Sequence, residues 1–304
     1  MSNKKKKQSA GSPVLVLLLF IFLGVFLYSG WKLLTLWKTY KAGSDEYSAI
    51  EEQYTKKAEN KPETAENVPE SAIKYEGMTE SEIERIREHV QALEEDGAVF
   101  EDAVPPLQVD FDELRKENEE IVAWIYVDAF PETISYPVCR AEDNDYYLHR
   151  TFRKQNLFSG AIFENCTNSP DFTDPHTIVY GHNMKDRSMF GNLKFLKEQE
   201  RYDKNPYFWI LTPKGNYRYR IFAAFDTPVT SDVYTLFSAQ GPEVAKWEKA
   251  QQALSAVKND VTFRDDDFVV TLSTCTADSS VRCVIIGKCV SSDRPDNRTA
   301  AAEP

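Results

Sequence analysis

"FVVTLSTC", residues 268–275, is a β-branched, hydroxyl-rich run that stops on a cysteine. Val, Thr and Phe in a run of this length read as a strand. After the turn-like "TADSS" (276–280) comes a second such run, "VRCVIIGKCV" (281–290). Six more lie upstream: "IVAWIYV" (121–127), "ISYPVC" (134–139), "AIFEN" (161–165), "TIVYGH" (177–182), "YFWILT" (207–212) and "YRYRIFAAFD" (217–226). Pro, Asp, Asn and Gly split them at the spacing expected of a barrel or sandwich. The pattern predicts one mostly-β domain over 106–291. Two helical insertions interrupt it, "SMFGNLKFLKE" (188–198) and "PEVAKWEKAQQALSAVKN" (242–259), the second with Val244, Trp247, Ala250 and Leu254 facing the sheet. A short helix from about Asp110 to Glu120 leads into the first strand.

The N-terminal third is built differently. Lys4 to Lys7 precede 24 residues without a charge, Gln8 to Trp31, centred on "VLVLLLFIFLGVFL". Roughly 20 apolar residues span a bilayer. A signal peptide is the competing reading, but the exit "YSGWKLLTLWK" is bulky and aromatic, unlike a small-residue cleavage site. The expected division is a basic cytoplasmic tail at 1–12, a transmembrane anchor at 13–36 and an extracytoplasmic stalk and linker at 37–105. The Lys cluster stays inside, and Trp31 and Trp37 sit at the interface. Within the stalk, a helix continues to about Lys57. "ENKPETAENVPESA" (59–72) reads as linker, and "TESEIERIREHVQALEED" (79–96) reads as a capped helix. The tail, 292–304, is expected to be disordered.

Residues 1–38 hold six Lys and no acid, so the remainder carries 30 Lys and Arg against 48 Asp and Glu. So acidic a surface excludes nucleic acid as a partner, since that demands a basic footprint. Five cysteines, an odd number with no CxxC, do not make a disulfide framework. No metal site or cofactor motif is present; the acidic "DFTD" (171–174) lacks an EF-hand pattern.

A thiol left over outside the cytoplasm raises the prospect of a nucleophile, and a nucleophilic thiol needs a base or cation to ionise it. Of four histidines, His89 lies on a charged helical face, His149 reads as structural, and His176 and His182 flank "TIVYG". His182 follows Gly181 at a strand end, from which it can reach a cleft. Arg282 lies seven residues after Cys275. If the two flanking strands pair antiparallel, Arg282 stands beside Cys275 and Cys283 points to the other face. Its guanidinium fork suits an oxyanion.

"TLSTC" with its following arginine, and "YGHNMKDRSMFGNL" (180–193) upstream, resemble the class B sortases of Gram-positive bacteria. "ISYPVCRAEDNDYYLHRTF" (134–152) and "SGAIFENCTN" (159–168) resemble the family's early strands and Asn-bearing loop, and 242–259 its long helix before the cysteine strand. The resemblance covers about 120–290. It implies a closed eight-stranded β-barrel with helical insertions, preceded by N-terminal helices and one transmembrane helix. It implies Cys275 as nucleophile, His182 as acid–base partner and Arg282 as stabilising cation, with Ser273, Thr274 and Asn144 touching substrate. The implied reaction cuts a C-terminal sorting signal of surface proteins through a Cys thioester and passes the acyl group to a peptidoglycan or pilin amine. Two readings compete with it: a hydrolytic cysteine protease of another fold, and a membrane-tethered adhesion or haem-capture domain without catalysis.

Overall fold

The computed structural model describes residues 13–57, 104–276, 278 and 280–292. The expected helix at 79–96 and the terminal segments 1–12 and 293–304 lie outside the described residues. The chain divides into two compact units, Met1–Glu46 and Tyr47–Pro304.

In the first unit runs most of helix α1 (Pro13–Tyr54). Its stretch Leu17–Thr35 has a mean hydropathy of 2.0 and no buried share, so it is long and apolar enough to cross a membrane.

In the second unit, α1 ends with Tyr47, Ile50 and Tyr54 buried. The helix was expected to reach about Lys57. Instead Thr55–Lys57 (β1) leaves it and pairs antiparallel with Leu107–Val109 (β2). The short α2 (Phe111–Glu117) follows, capped by the Asp110 carboxylate, which accepts from the Glu113 N–H at 3.1 Å. It is shorter than expected because Asn118 turns extended.

Eight strands then close a barrel: β3 (Ile121–Val127), β4 (Ser135–Cys139), β5 (Ile162–Glu164), β6 (His176–Gly181), β7 (Tyr207–Thr212), β8 (Gly215–Pro228), β9 (Val269–Cys275) and β10 (Val281–Ser292). The order around it is β10-β8-β7-β3-β4-β5-β6-β9. The pairs β4–β5 and β6–β9 are parallel; the others are antiparallel. These strands match the eight runs in the sequence. Fully buried side chains on these strands include Trp124, Ile125, Phe208, Leu272 and Ile285.

The insertion at 188–198 forms only a 3-10 turn, Leu193–Lys197, followed by α3 (Gln199–Lys204). Between β8 and β9, Pro242–Leu254 forms α4, starting with Pro in its first turn. Val244 and Trp247 are buried as expected, but the rest of its buried face is Ala245, Glu248 and Gln251. Ala250 is exposed and Leu254 is 57% exposed. Trp247 fixes the rotation of the helix: its ring lies 4.6 Å from that of His176, and its indole N–H donates to the Asp232 carbonyl at 2.9 Å. Positions 250 and 254 consequently face away.

Candidate active site

The end of the barrel where β9 stops is set by two ladders. In β9–β10, Cys275 is opposite Arg282 and Thr274 opposite Cys283. In β6–β9, Tyr180 is opposite Ser273 and Gly181 opposite Thr274. Side chains opposite one another in a ladder share a face. Tyr180, Ser273, Cys275 and Arg282 therefore point to one side of the wall, and Thr274 and Cys283 to the other. His182 is the next residue beyond Gly181, at the lip of the same end.

Each residue has a local reason for its place. A Cβ added at Gly181 would come within 2.5 Å of the Ile162 Cδ1 and 2.7 Å of the Phe190 Cδ2, so only glycine fits before the histidine. The chain after His182 doubles back: the Phe190 N–H donates to the His182 carbonyl at 2.9 Å, and the Met189 N–H to the Tyr136 hydroxyl at 3.0 Å. Arg187 (φ 72°) and Met189 (φ 52°) take left-handed backbone conformations to make that return, at about 1 kcal/mol each.

The His182 ring is held from the segment 146–160. Its Nε2 lies 2.6 Å from the Leu148 carbonyl. A carbonyl has no proton to give, so Nε2 carries the hydrogen and Nδ1 is the open position. The His149 and Phe158 rings stack near it at 5.7 and 5.8 Å. Burial pulls the His182 pKa below the usual 6.5. The Leu148 bond opposes that shift, and the neighbouring His149 adds to it. The turn bearing Leu148, Tyr146–His149, is anchored by the Tyr147 hydroxyl, which accepts from Asn118 at 2.7 Å and donates to Glu120.

Ser273 is buried, its hydroxyl 2.9 Å from that of Tyr234. Tyr234 is pushed above its ordinary pKa of 10 by burial, while the Ser273 bond and the Arg282 charge pull it down and the Cys275 sulfur pushes it up. Tyr234 thus reads both Cys275 and Arg282. The Arg282 guanidinium donates to the Val281 carbonyl at 3.1 Å. Cys275 is partly exposed and in no disulfide, whereas Cys139 and Cys283 are buried. Burial lifts the Cys283 thiol to about 12. Thr274 is buried, its hydroxyl without a partner on the opposite face from Ser273. Asn144 is half-buried; its side-chain oxygen accepts from the Cys166 N–H at 2.8 Å and braces the 165–168 loop. Among the described residues, no group of three or more His, Cys, Asp or Glu side chains could hold a metal ion.

Sequence reasoning missed Tyr234, Leu148 and Phe158. "SDVYTLF" and "NLFSG" have no periodicity to flag them, and Leu148 acts through its backbone oxygen, which no side chain advertises.

A cysteine, a histidine and an arginine at one barrel end, each from a different strand end, suit acyl transfer through a thioester. No family model matches the chain. A curated relative, sortase B of Listeria monocytogenes, is 34% identical over 184 residues, covering 59% of this chain and 73% of that protein. Among solved structures, sortase B of Bacillus anthracis is 31% identical with a TM-score of 0.54, covering 68% of this chain and 98% of that one. Sortase B of Clostridium perfringens is 28% identical with a TM-score of 0.55, covering 60% and 100%. With identity and coverage of that extent on the same closed barrel, the chain belongs to the sortase B family of cysteine transpeptidases.

Proposed function

We propose that Cys275 is the nucleophile, His182 the acid–base group and Arg282 the cation that stabilises the oxyanion. The observation that carries this reading is the double ladder at the end of β9, with Cys275 opposite Arg282 and β6 ending one residue before His182. The Cys275 thiol gives its proton to the open Nδ1 of His182, and the sulfur attacks the backbone carbonyl of a sorting signal. The C–N bond breaks, and the departing amine takes its proton from His182. Arg282 binds the oxygen that becomes negative in the tetrahedral intermediate. The thioester left on Cys275 keeps the energy of the broken bond, so no nucleotide is needed. An amine of peptidoglycan or of a pilin then attacks, and His182 receives its proton. Ser273 and Asn144 line the substrate path. Thr274, with its side chain on the interior face, contributes through its backbone.

The proposed division is a tail at 1–12, a membrane anchor at 13–36, an extracytoplasmic stalk and linker at 37–105, the catalytic barrel at 106–291 and a tail at 292–304. The apolar stretch Leu17–Thr35 supports the anchor. Substrates held in the same membrane would meet the barrel at raised effective concentration.

The test is to incubate the full chain in detergent micelles with a panel of short sorting peptides, with and without an added amine. An amide product that requires the amine is expected, and Cys275→Ala abolishes it. Cleavage at equal rate with only hydrolysed product would favour an ordinary cysteine protease. Transfer by Cys275→Ala would remove the proposal.

A further inference from the structure

Two supports converge on His182, and both lead back to one residue of α1. The first holds the imidazole. The Leu148 carbonyl that accepts from Nε2 is backed by Gly160, at φ 58°. A Cβ there would lie 2.5 Å from the Leu148 oxygen and 2.6 Å from the Tyr147 oxygen. Gly160 is thus pressed against that carbonyl, in a backbone conformation that favours glycine. The Leu157 and Ala161 N–H groups fasten the same segment to the His149 and Tyr147 carbonyls at 3.0 Å each. The carbonyl of Gly160 in turn accepts from the Tyr47 hydroxyl at 2.8 Å, in a buried bond.

The second support holds the backbone of His182. The Phe190 N–H donates to its carbonyl, and the adjacent Met189 N–H donates to Tyr136. The Tyr136 ring meets that of Tyr47 edge-on, at 5.2 Å and 89°. Phe152 flanks Tyr47 as well, at 6.0 Å. One side chain therefore braces both the loop behind the ring and the loop behind the backbone.

We infer that Tyr47 is a positioning residue for His182, so that the last turns of α1 belong to the transfer machinery instead of serving only as a connector. The inference rests on the reading of His182 as the acid–base group. The proton on Nε2 is fixed by a carbonyl whose place depends on a tyrosine of another element. Loosening that brace lets Leu148 drift from Nε2 and lets Nδ1 turn from the position in which it exchanges protons with the leaving and entering amines.

The deciding variant is Tyr47→Phe in the full chain in detergent micelles, which keeps the ring contacts and removes the bond to Gly160. A neutral buried hydrogen bond of ordinary net strength predicts about a fivefold fall in kcat with KM unchanged. The Leu148 bond raises the affinity of His182 for its proton, so weakening it should move the limb of the pH–rate profile that His182 governs to lower pH. His149, Cys275, Arg282 and Tyr234, the titratable groups around the site, are untouched by this change. A nitrogen-15 spectrum of the His182 ring should show the Nε2–H signal moved in Tyr47→Phe. Gly160→Ala, which drives a methyl into the Leu148 carbonyl, should act in the same direction and more strongly.

A folded Tyr47→Phe with wild-type kcat, pH profile and Nε2–H signal would overturn the inference. So would a loss of thermal stability with those three readouts unchanged, which would leave Tyr47 a purely structural contact. Full activity of His182→Ala would instead bring down the reading beneath it, and the inference with it.

Discussion

β6 carries a histidine at its start and another just past its end, and the two have opposite surroundings. His176 is completely buried beneath α4 and bonded at both ring nitrogens: Nδ1 to the Thr235 carbonyl at 2.7 Å, Nε2 to the Thr271 hydroxyl at 2.8 Å. His182 is held at one nitrogen and stands at the lip of the barrel. Burial lowers the pKa of both, to about 4 for His176. The same electrostatic cause thus serves two purposes. A ring satisfied on both sides is a clasp between β9 and the segment that follows Tyr234. A ring satisfied on one side keeps a nitrogen for chemistry.

The contrast can be broken most directly by His182→Ala. Its kcat for amine transfer should fall about 10³-fold, while its urea midpoint stays within error of the wild type. Stability loss on the same scale as His176 variants would erase the distinction. His176→Asn should do the reverse, costing about 3 kcal/mol of folding stability and leaving turnover per folded molecule nearly intact.

Acid sharpens the difference. A histidine with a lowered folded pKa binds fewer protons folded than unfolded between the two values, so stability falls as pH drops through that window. For His176 the window runs from 6.5 down to about 4, worth about 3 kcal/mol at 1.36 kcal/mol per pH unit. Urea titrations at pH 7 and pH 4.5 should show a smaller acid loss in His176→Asn than in the wild type; equal losses would assign the effect elsewhere.

Arg282→Lys keeps the charge but not the fork. About a 10²-fold fall in kcat is expected, and near-normal turnover would return Arg282 to the surface. The smallest effect concerns the cover over His176. Glu248 on α4 is fully buried with neither carboxyl oxygen partnered, and its pKa is raised to about 9 by burial and by Asp267. A carboxyl whose folded pKa is raised binds more protons folded than unfolded, so stability falls as pH rises from 4.5 to about 9. Glu248→Gln, neutral throughout, should gain stability at pH 7 and flatten that slope in thermal melts. A destabilised variant would mean that the carboxyl has a partner.

The eight strands were legible because β-branched runs bounded by turn residues are local signals. Their order and closure were not, because pairing joins β3 with β7 and β6 with β9 across long stretches of chain. Closure came with the family resemblance. The stripe on α4 was misjudged because periodicity marks a helix's apolar side without saying which partner will turn it, and Glu248 and Gln251 are polar yet buried. Thr55–Lys57 was assigned to the helix because three residues, two of them lysine, show no alternation. Cys275, His182 and Arg282 could be singled out by chemical type and spacing. Tyr47, Gly160 and Leu148 could not, since what they contribute is backbone geometry and a hydroxyl aimed at a carbonyl 113 positions away.

Closing the barrel has one more consequence. A sheet that ends in a free margin invites any extended polypeptide to lie alongside it as an extra strand. Here β10 joins β9 and no margin is left open in the eight-stranded ring. A stretched-out chain arriving at this protein is denied that parasitic berth along the ring.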